Sequence, residues 1–175
     1  MRRPLDLPFD PIEAAAQRWQ ERFGPATAMA AVTSVMRAQQ ILLGRLDGLL
    51  ARHELTFARY EALVLLGFSR TGALPLSKLG ERLMVHPTSV TNTVDRLERA
   101  GFVAREPNPR DGRGTLARLT PAGRAVAEAA TADLLGAEFG LGGLAEAEQA
   151  ELTRLLRQVR LAAGDFRPPE DPADG

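Results

Sequence analysis

Residues 87–99 carry Thr88, Ser89, Thr91, Asn92, Asp95, Arg96 and Arg99 on one side of a segment whose apolar residues, Val90, Val94 and Leu97, fall at i, i+4 and i+7. That spacing predicts a helix with one buried stripe and one polar face. The polar groups near its start are short hydroxyls and an amide. Such groups suit hydrogen bonds to the edges of nucleic-acid bases or to phosphates, because they let a helix approach closely. Pro87 at the first helical position pre-sets the backbone, and the free N–H groups behind it suit a phosphate. About ten residues further on, the run Pro107-Asn108-Pro109-Arg110-Asp111-Gly112-Arg113-Gly114 puts two arginines on a turn rich in Gly and Pro. Guanidinium groups on a narrow tip suit a DNA minor groove. From Asp95 to Arg124 seven arginines stand against four acids. Positive charge is thus concentrated there, in a chain whose 22 basic and 22 acidic residues otherwise balance.

Other chemistries find little support. There is no cysteine, which excludes disulfides, thiolate nucleophiles and cysteine-based zinc sites. The two histidines, His53 and His86, are too few for a histidine-rich metal centre. No EF-hand, HExxH, P-loop or GxGxxG spacing is present. No Ser/His/Asp or paired-carboxylate arrangement can be read, so no catalysis, cofactor or metal is assigned. No apolar run reaches the roughly 18 residues of a membrane span. The start, MRRPLDLPFDP, lacks the apolar core of a signal peptide. A cytoplasmic protein is the expectation.

The elements that must position the polar helix are themselves mostly helical. Asp10-Pro11 predicts a helix start, with the helix running to about Phe23 before Gly24-Pro25. A long helix follows from about Ala26 to Arg52, with Val32, Val35, Met36, Leu42, Leu43, Leu46, Leu49 and Leu50 as its apolar line. At about seven turns it needs something to cover it. Thr56 can cap a third helix, and residues 69–74 read as a turn. A short helix then spans 75–84, and a tight Val85-His86 link leads into the polar helix. The only strand candidates are about 102–106 and 115–119, joined as a hairpin. Thr120-Pro121 opens a helix to about Phe139, and the last helix runs from about Leu144 to Ala163. Two helices, a tight link and a basic hairpin make a winged helix-turn-helix. The expected class is mainly α with a small β-hairpin wing. Expected parts are a disordered start (1–9), N-terminal helices for dimerisation and a possible ligand pocket (10–53), the winged region (54–120), C-terminal dimerisation helices (121–164) and a disordered tail (165–175).

Leu79-Gly80-Glu81-Arg82-Leu83, the run from Val94-Asp95-Arg96-Leu97-Glu98 through Gly101-Phe102-Val103, the Asp111-Gly112-Arg113 tip and Leu119-Thr120-Pro121-Ala122-Gly123-Arg124 stand in order. In order and spacing this stretch resembles the MarR family of dimeric bacterial regulators, over roughly residues 30–162. The resemblance implies a homodimeric, DNA-binding transcriptional regulator, acting as a repressor on a pseudo-palindromic operator. It places Pro87, Thr88, Ser89, Thr91, Asn92 and Arg96 at the major groove or its phosphates. It places Arg110 at the wing and Arg113 in the minor groove, with Asp111 bracing the wing. Trp19 on an added N-terminal helix, Glu61 and Arg105 resemble the pocket of the urate-responsive branch. Thr93 stands where that branch has an arginine, so the resemblance implies a different organic anion, of the kind aconitate-responsive relatives bind. Two other classes stay open: a winged dimerisation module of a metabolic enzyme, and a helical protein-interaction domain.

Overall fold

The computed structural model describes residues 6–109 and 114–167. The chain runs α1 (Pro11–Phe23), α2 (Thr27–Leu50), a 3-10 turn (Ala51–His53), α3 (Phe57–Phe68), β1 (Ala73–Pro75), α4 (Leu76–Leu83) and α5 (Pro87–Arg99). It continues with β2 (Val103–Pro107), β3 (Thr115–Leu119), α6 (Pro121–Gly136), a second 3-10 turn (Glu138–Gly140) and α7 (Glu146–Ala162). The expected disordered ends fall partly on residues 1–5 and 168–175, outside the described residues.

The helix starts follow from local chemistry. Asp10 accepts the Ile12 N–H at 2.8 Å with Pro11 behind it. Thr120 accepts the Gly123 N–H at 2.9 Å ahead of Pro121. Thr56 differs from expectation. It holds the cap position of α3 without capping it, and the Phe57 N–H instead donates to Asp47 Oδ1 of α2 at 2.8 Å. The orphan donor of α3 is thereby satisfied from a neighbouring helix.

Two compact units divide at Phe139. In the first, α3 lies at the centre, with Ala62, Leu63 and Leu66 fully buried. Around it pack Leu46 and Leu50 of α2, Leu79 of α4, Val90, Val94 and Leu97 of α5, Val103 of β2, Ala117 of β3 and Leu134 of α6. Burying each large side chain stabilises the fold by about 1.5–3 kcal/mol. Only Leu46 and Leu50 of α2 are buried, while Val32, Val35, Met36, Ile41 and Leu43 stay 39–57% exposed. α6 belongs to this unit and supplies Ala127, Ala130 and Leu134 to its core. At the α2–α6 junction, Asp133 accepts from Arg52 and pairs with His53 Nε2 at 2.6 Å.

The sheet has three strands, not two, in the order β1-β3-β2 and antiparallel throughout. β1 was expected to be part of a turn. It is three residues long and ends in proline, so no alternation marks it. It is extended because it pairs with β3, Ala73 opposite Arg118 and Leu74 opposite Ala117. Just before it, the Leu119 N–H donates to the Gly72 carbonyl at 2.8 Å.

The second unit holds α7. Glu148 accepts the Ala145 N–H at 2.8 Å to close its first turn, and Arg157 and Arg160 lie over the Phe166 ring. Leu155 and Val159 are exposed on its surface. Among the described residues no helix is long and apolar enough to cross a membrane.

Candidate nucleic-acid interface

The buried stripe of α5 fixes how its other face is presented. Val90, Val94 and Leu97 are each at most 1% exposed, so the opposite side cannot turn inward. Pro87, Thr88, Ser89, Thr91, Asn92 and Arg96 are all exposed on it. α4 approaches closely through Gly80, where a methyl group would stand 2.9 Å from Val90 Cγ2. The link between the helices turns on Met84, a non-glycine residue in the left-handed region (φ 55°, ψ 39°). His86 then caps α5, its Nδ1 accepting the Thr88 N–H at 3.3 Å and lying 3.1 Å from Thr88 Oγ1. A histidine cap is not among the preferred residue types, so the sequence carried no signal for it. The Thr91 hydroxyl donates back to the Pro87 carbonyl at 3.1 Å and still has lone pairs to offer outward.

The far end of α5 is tied to the wing. Gly101 (φ 76°) turns the chain, with the Phe102 N–H donating to the Leu97 carbonyl at 2.9 Å. The chain returns along β2 so that Arg105 lies against the helix it has just left. Its guanidinium pairs with Asp95 at 2.5 Å and with Glu98 at 3.6 Å, and it donates to the Thr91 carbonyl at 3.5 Å. Glu98 also accepts the Arg105 backbone N–H at 3.2 Å. The Arg105 Nε is buried without a hydrogen-bond partner. Across the sheet Arg118 donates to Glu106 at 2.6 Å and to the Thr71 carbonyl at 2.9 Å. The bond to Glu106 holds that carboxyl below its ordinary range and pushes Arg118 up.

At the base of the wing the Phe102 carbonyl accepts the Thr120 N–H at 3.1 Å, and Thr120 Oγ1 donates to the Gly101 carbonyl at 2.8 Å. Gly123 packs directly on Phe102, with no room for a side chain. The neck of the hairpin closes where the Asn108 N–H donates to the Gly114 carbonyl at 2.9 Å. Arg110, Asp111 and Arg113 lie outside the described residues.

The MarR family model matches residues 55–115, which run from just before α3 through β2 to the first residue of β3. The solved structure of Sco5413, a MarR family transcriptional regulator from Streptomyces coelicolor, is 61% identical to this chain. It covers 81% of this chain and 99% of its own, with a TM-score of 0.75. The chain belongs to the MarR family. Sco3205, a MarR family regulator from the same organism solved in complex with DNA, is 27% identical, with 87% of this chain and 96% of that chain covered and a TM-score of 0.73. Among curated proteins, the HTH-type regulator YkoM of Bacillus subtilis is 34% identical over 89 residues. That is 50% of this chain and 58% of YkoM, so the match spans little more than half of that relative.

Several residues of the MarR-like signature have structural duties here. Asp95 and Glu98 grip Arg105, Gly101 makes the left-handed turn, and Thr120 and Gly123 seat α6 on Phe102. The sequence placed Asp95 on the polar face and both acids in the MarR-like run, without assigning them this grip on Arg105. The signal that finds them is the i, i+3 pair of acids followed by an arginine two residues into the next strand.

The three residues expected to form a ligand pocket lie on three elements. Trp19 on α1 is exposed and its ring packs 4.9 Å from that of Phe23. Glu61 on α3 is exposed, yet surrounding protein atoms desolvate its carboxyl and raise its pKa. Arg105 is engaged with Asp95 and Glu98. Two surface cavities, of about 550 and 220 Å³, are lined by other residues.

Proposed function

We propose that this protein is a sequence-specific DNA-binding transcriptional regulator acting as a homodimeric repressor. The observation that carries this reading is the α5 face. Six exposed residues, Pro87, Thr88, Ser89, Thr91, Asn92 and Arg96, stand on a helix locked at one side into the core and at its end to the wing. A helix so fixed enters a major groove with its register set in advance. Arg110 and Arg113 would then reach the adjacent minor groove, with Asp111 bracing them. Relatives solved on DNA, Sco3205 and a mutant of E. coli MarR complexed with operator DNA, support the same use of the fold.

The dimer is supported by the apolar half of α2, whose Val32, Val35, Met36, Ile41 and Leu43 are only partly covered among the described residues. A two-fold protein matches a pseudo-palindrome with half-site centres about 10 base pairs apart. The compartment of action is the one that holds the DNA, the cytoplasm.

Its DNA affinity is lowered, in this reading, by a small organic anion related to the ligands of the urate- and aconitate-responsive branch. Arg105 would be the anion's partner, with Trp19 and Glu61 beside it. An anion that takes Arg105 from Asp95 and Glu98 removes the tie between β2 and α5. It can shift the equilibrium only by its difference in affinity between the tied and untied arrangements. Footprinting the purified protein on the DNA upstream of its own gene tests the whole reading. A palindrome protected in wild type and released by citrate or aconitate, with weaker protection in Arg105→Ala that neither anion changes further, is the expected result. Absence of protection together with monomeric sedimentation on DNA refutes it.

A further inference from the structure

We propose that Arg59 of α3 and Arg96 of α5 form a seat for one phosphate of the DNA backbone, beside the major-groove face. This rests on the DNA-binding reading above and adds a contact from outside the helix-turn-helix. The two arginines, with Thr56, Asn92 and Thr93, line a surface cavity of about 220 Å³. Every lining side chain offers hydrogen-bond donors, and no carboxylate is among them. Arg59 is held in place from below: its Nε donates to Thr56 Oγ1 at 3.2 Å and its Nη1 to the Glu54 carbonyl at 2.9 Å. These bonds use two of the five N–H groups of a guanidinium and leave the others to point elsewhere. The nearby acid, Asp47, is turned onto the Phe57 amide at 2.8 Å and does not line the cavity.

Arg59 and Arg96 differ from the two arginines of the sheet beside α5. Arg105 and Arg118 are each neutralised by a carboxylate, whereas Arg59 and Arg96 form no ion pair among the described residues. Two cations and three polar side chains facing one space without an anion suit an oxyanion. The size of the cavity argues for a phosphate rather than an organic effector. Pockets for organic ligands are typically about 300–1,000 Å³, whereas this one is smaller and every residue lining it carries a hydrogen-bond donor. Its position argues for the backbone of the same duplex. Asn92 and Arg96 belong to the exposed face of α5, so DNA lying on that face passes over the cavity.

A backbone contact contributes equally to every sequence and is read by salt. The probe is a fluorescein-labelled 30-base-pair duplex of mixed sequence, titrated with the full chain at 50–300 mM NaCl. Wild type should show a steep fall of log K with log salt. In Arg59→Gln the slope should fall by about 0.9 per protomer, the value for one lost phosphate. Arg59→Lys, which keeps a point charge, should restore most of it. Thermal melting of each variant separates this from a structural role, which would lower the melting temperature in both variants and leave the slope unchanged. A wild-type slope in Arg59→Gln overturns the seat while leaving DNA binding by α5 intact. Failure of wild type to bind any duplex overturns both. Titration with citrate in the absence of DNA is the remaining arm. Saturable binding lost in Arg59→Gln, with an unchanged DNA slope, assigns the cavity to a free anion and overturns the proposal.

Discussion

Gly123→Ala should destabilise the protein by about 2 kcal/mol or more, although alanine is the better helix former. The magnitude follows from what surrounds the position. Gly123 lies in the first turn of α6, where Gly-to-Ala alone would stabilise by about 0.5–1 kcal/mol. A methyl group there would stand 2.9 Å from both the Phe102 carbonyl carbon and Leu119 Cδ1, and nearer still to the Phe102 oxygen. Overpacking against side chains costs about 1–3 kcal/mol, and a backbone carbonyl has no rotamer to move into, which puts the clash at or beyond the upper end. The same carbonyl accepts the Thr120 N–H, so any retreat also weakens the joint between wing and α6. Subtracting the helix gain leaves about 2 kcal/mol, or about 4–8 °C in melting temperature for a chain of this size. Gly136→Ala, at the other end of the same helix with open space around it, is the control and should be neutral or stabilising. Urea unfolding followed by circular dichroism, at fixed protomer concentration, gives both values. Gly123→Ala within 0.5 kcal/mol of wild type would refute the close approach and the account of the wing base built on it.

A double-mutant cycle of Asp95→Asn and Arg105→Gln should give a coupling of about 0.5–1 kcal/mol, because both side chains are about one-third exposed; DNA affinity should fall in each single variant, and unchanged affinity in both would mean that the tie does not position α5. Arg113→Ala should weaken specific DNA binding by about 1–3 kcal/mol and relax any preference for A·T-rich flanks, whereas Asn92→Ala should alter base preference inside the half-site, both read by competition binding on randomised duplexes. Glu61, raised by desolvation, binds its proton more tightly folded than unfolded, so ionising it opposes folding. Wild type should therefore lose stability relative to Glu61→Gln as pH rises from the ordinary glutamate range through the raised value, and then level off; parallel melting curves across pH for the two proteins would contradict this.

What the sequence disclosed, and what it hid, divides along physical lines. Helix starts were readable because caps and prolines act within three residues: Asp10-Pro11, Pro87 and Thr120-Pro121 each open a helix where they stand. The stripe of α5 was readable because burial repeats with the helical period. β1 was hidden because three residues ending in proline take their form only from pairing with β3, more than 40 positions away. The tie through Arg105 was hidden because it exists only once Gly101 has turned the chain back. The cavity at Arg59 was hidden for the same reason, since it joins α3 to α5 across the fold.

This division also explains why the likeness to other regulators stops short of an operator. Asp95, Glu98, Gly101, Thr120 and Gly123 are constrained by neighbours inside the chain, through an ion pair, a left-handed turn, a cap and a close packing contact. Any chain using this wing must meet those constraints whatever DNA it reads. Ser89 and Asn92 meet none of them, and Thr88 only touches the His86 cap: all three side chains are exposed and the core would accept other polar residues there. Thr91 is the intermediate case, since its hydroxyl is turned partly back onto Pro87. Exchanging residues 88, 89 and 92 for those of Sco3205 should therefore leave unfolding unchanged within about 0.5 kcal/mol, the usual range for exposed sites. The preferred half-site should move toward that of Sco3205. A loss of stability beyond that range, or an unchanged half-site, would show that these side chains serve the fold, and the reading face would have to be sought elsewhere on the molecule.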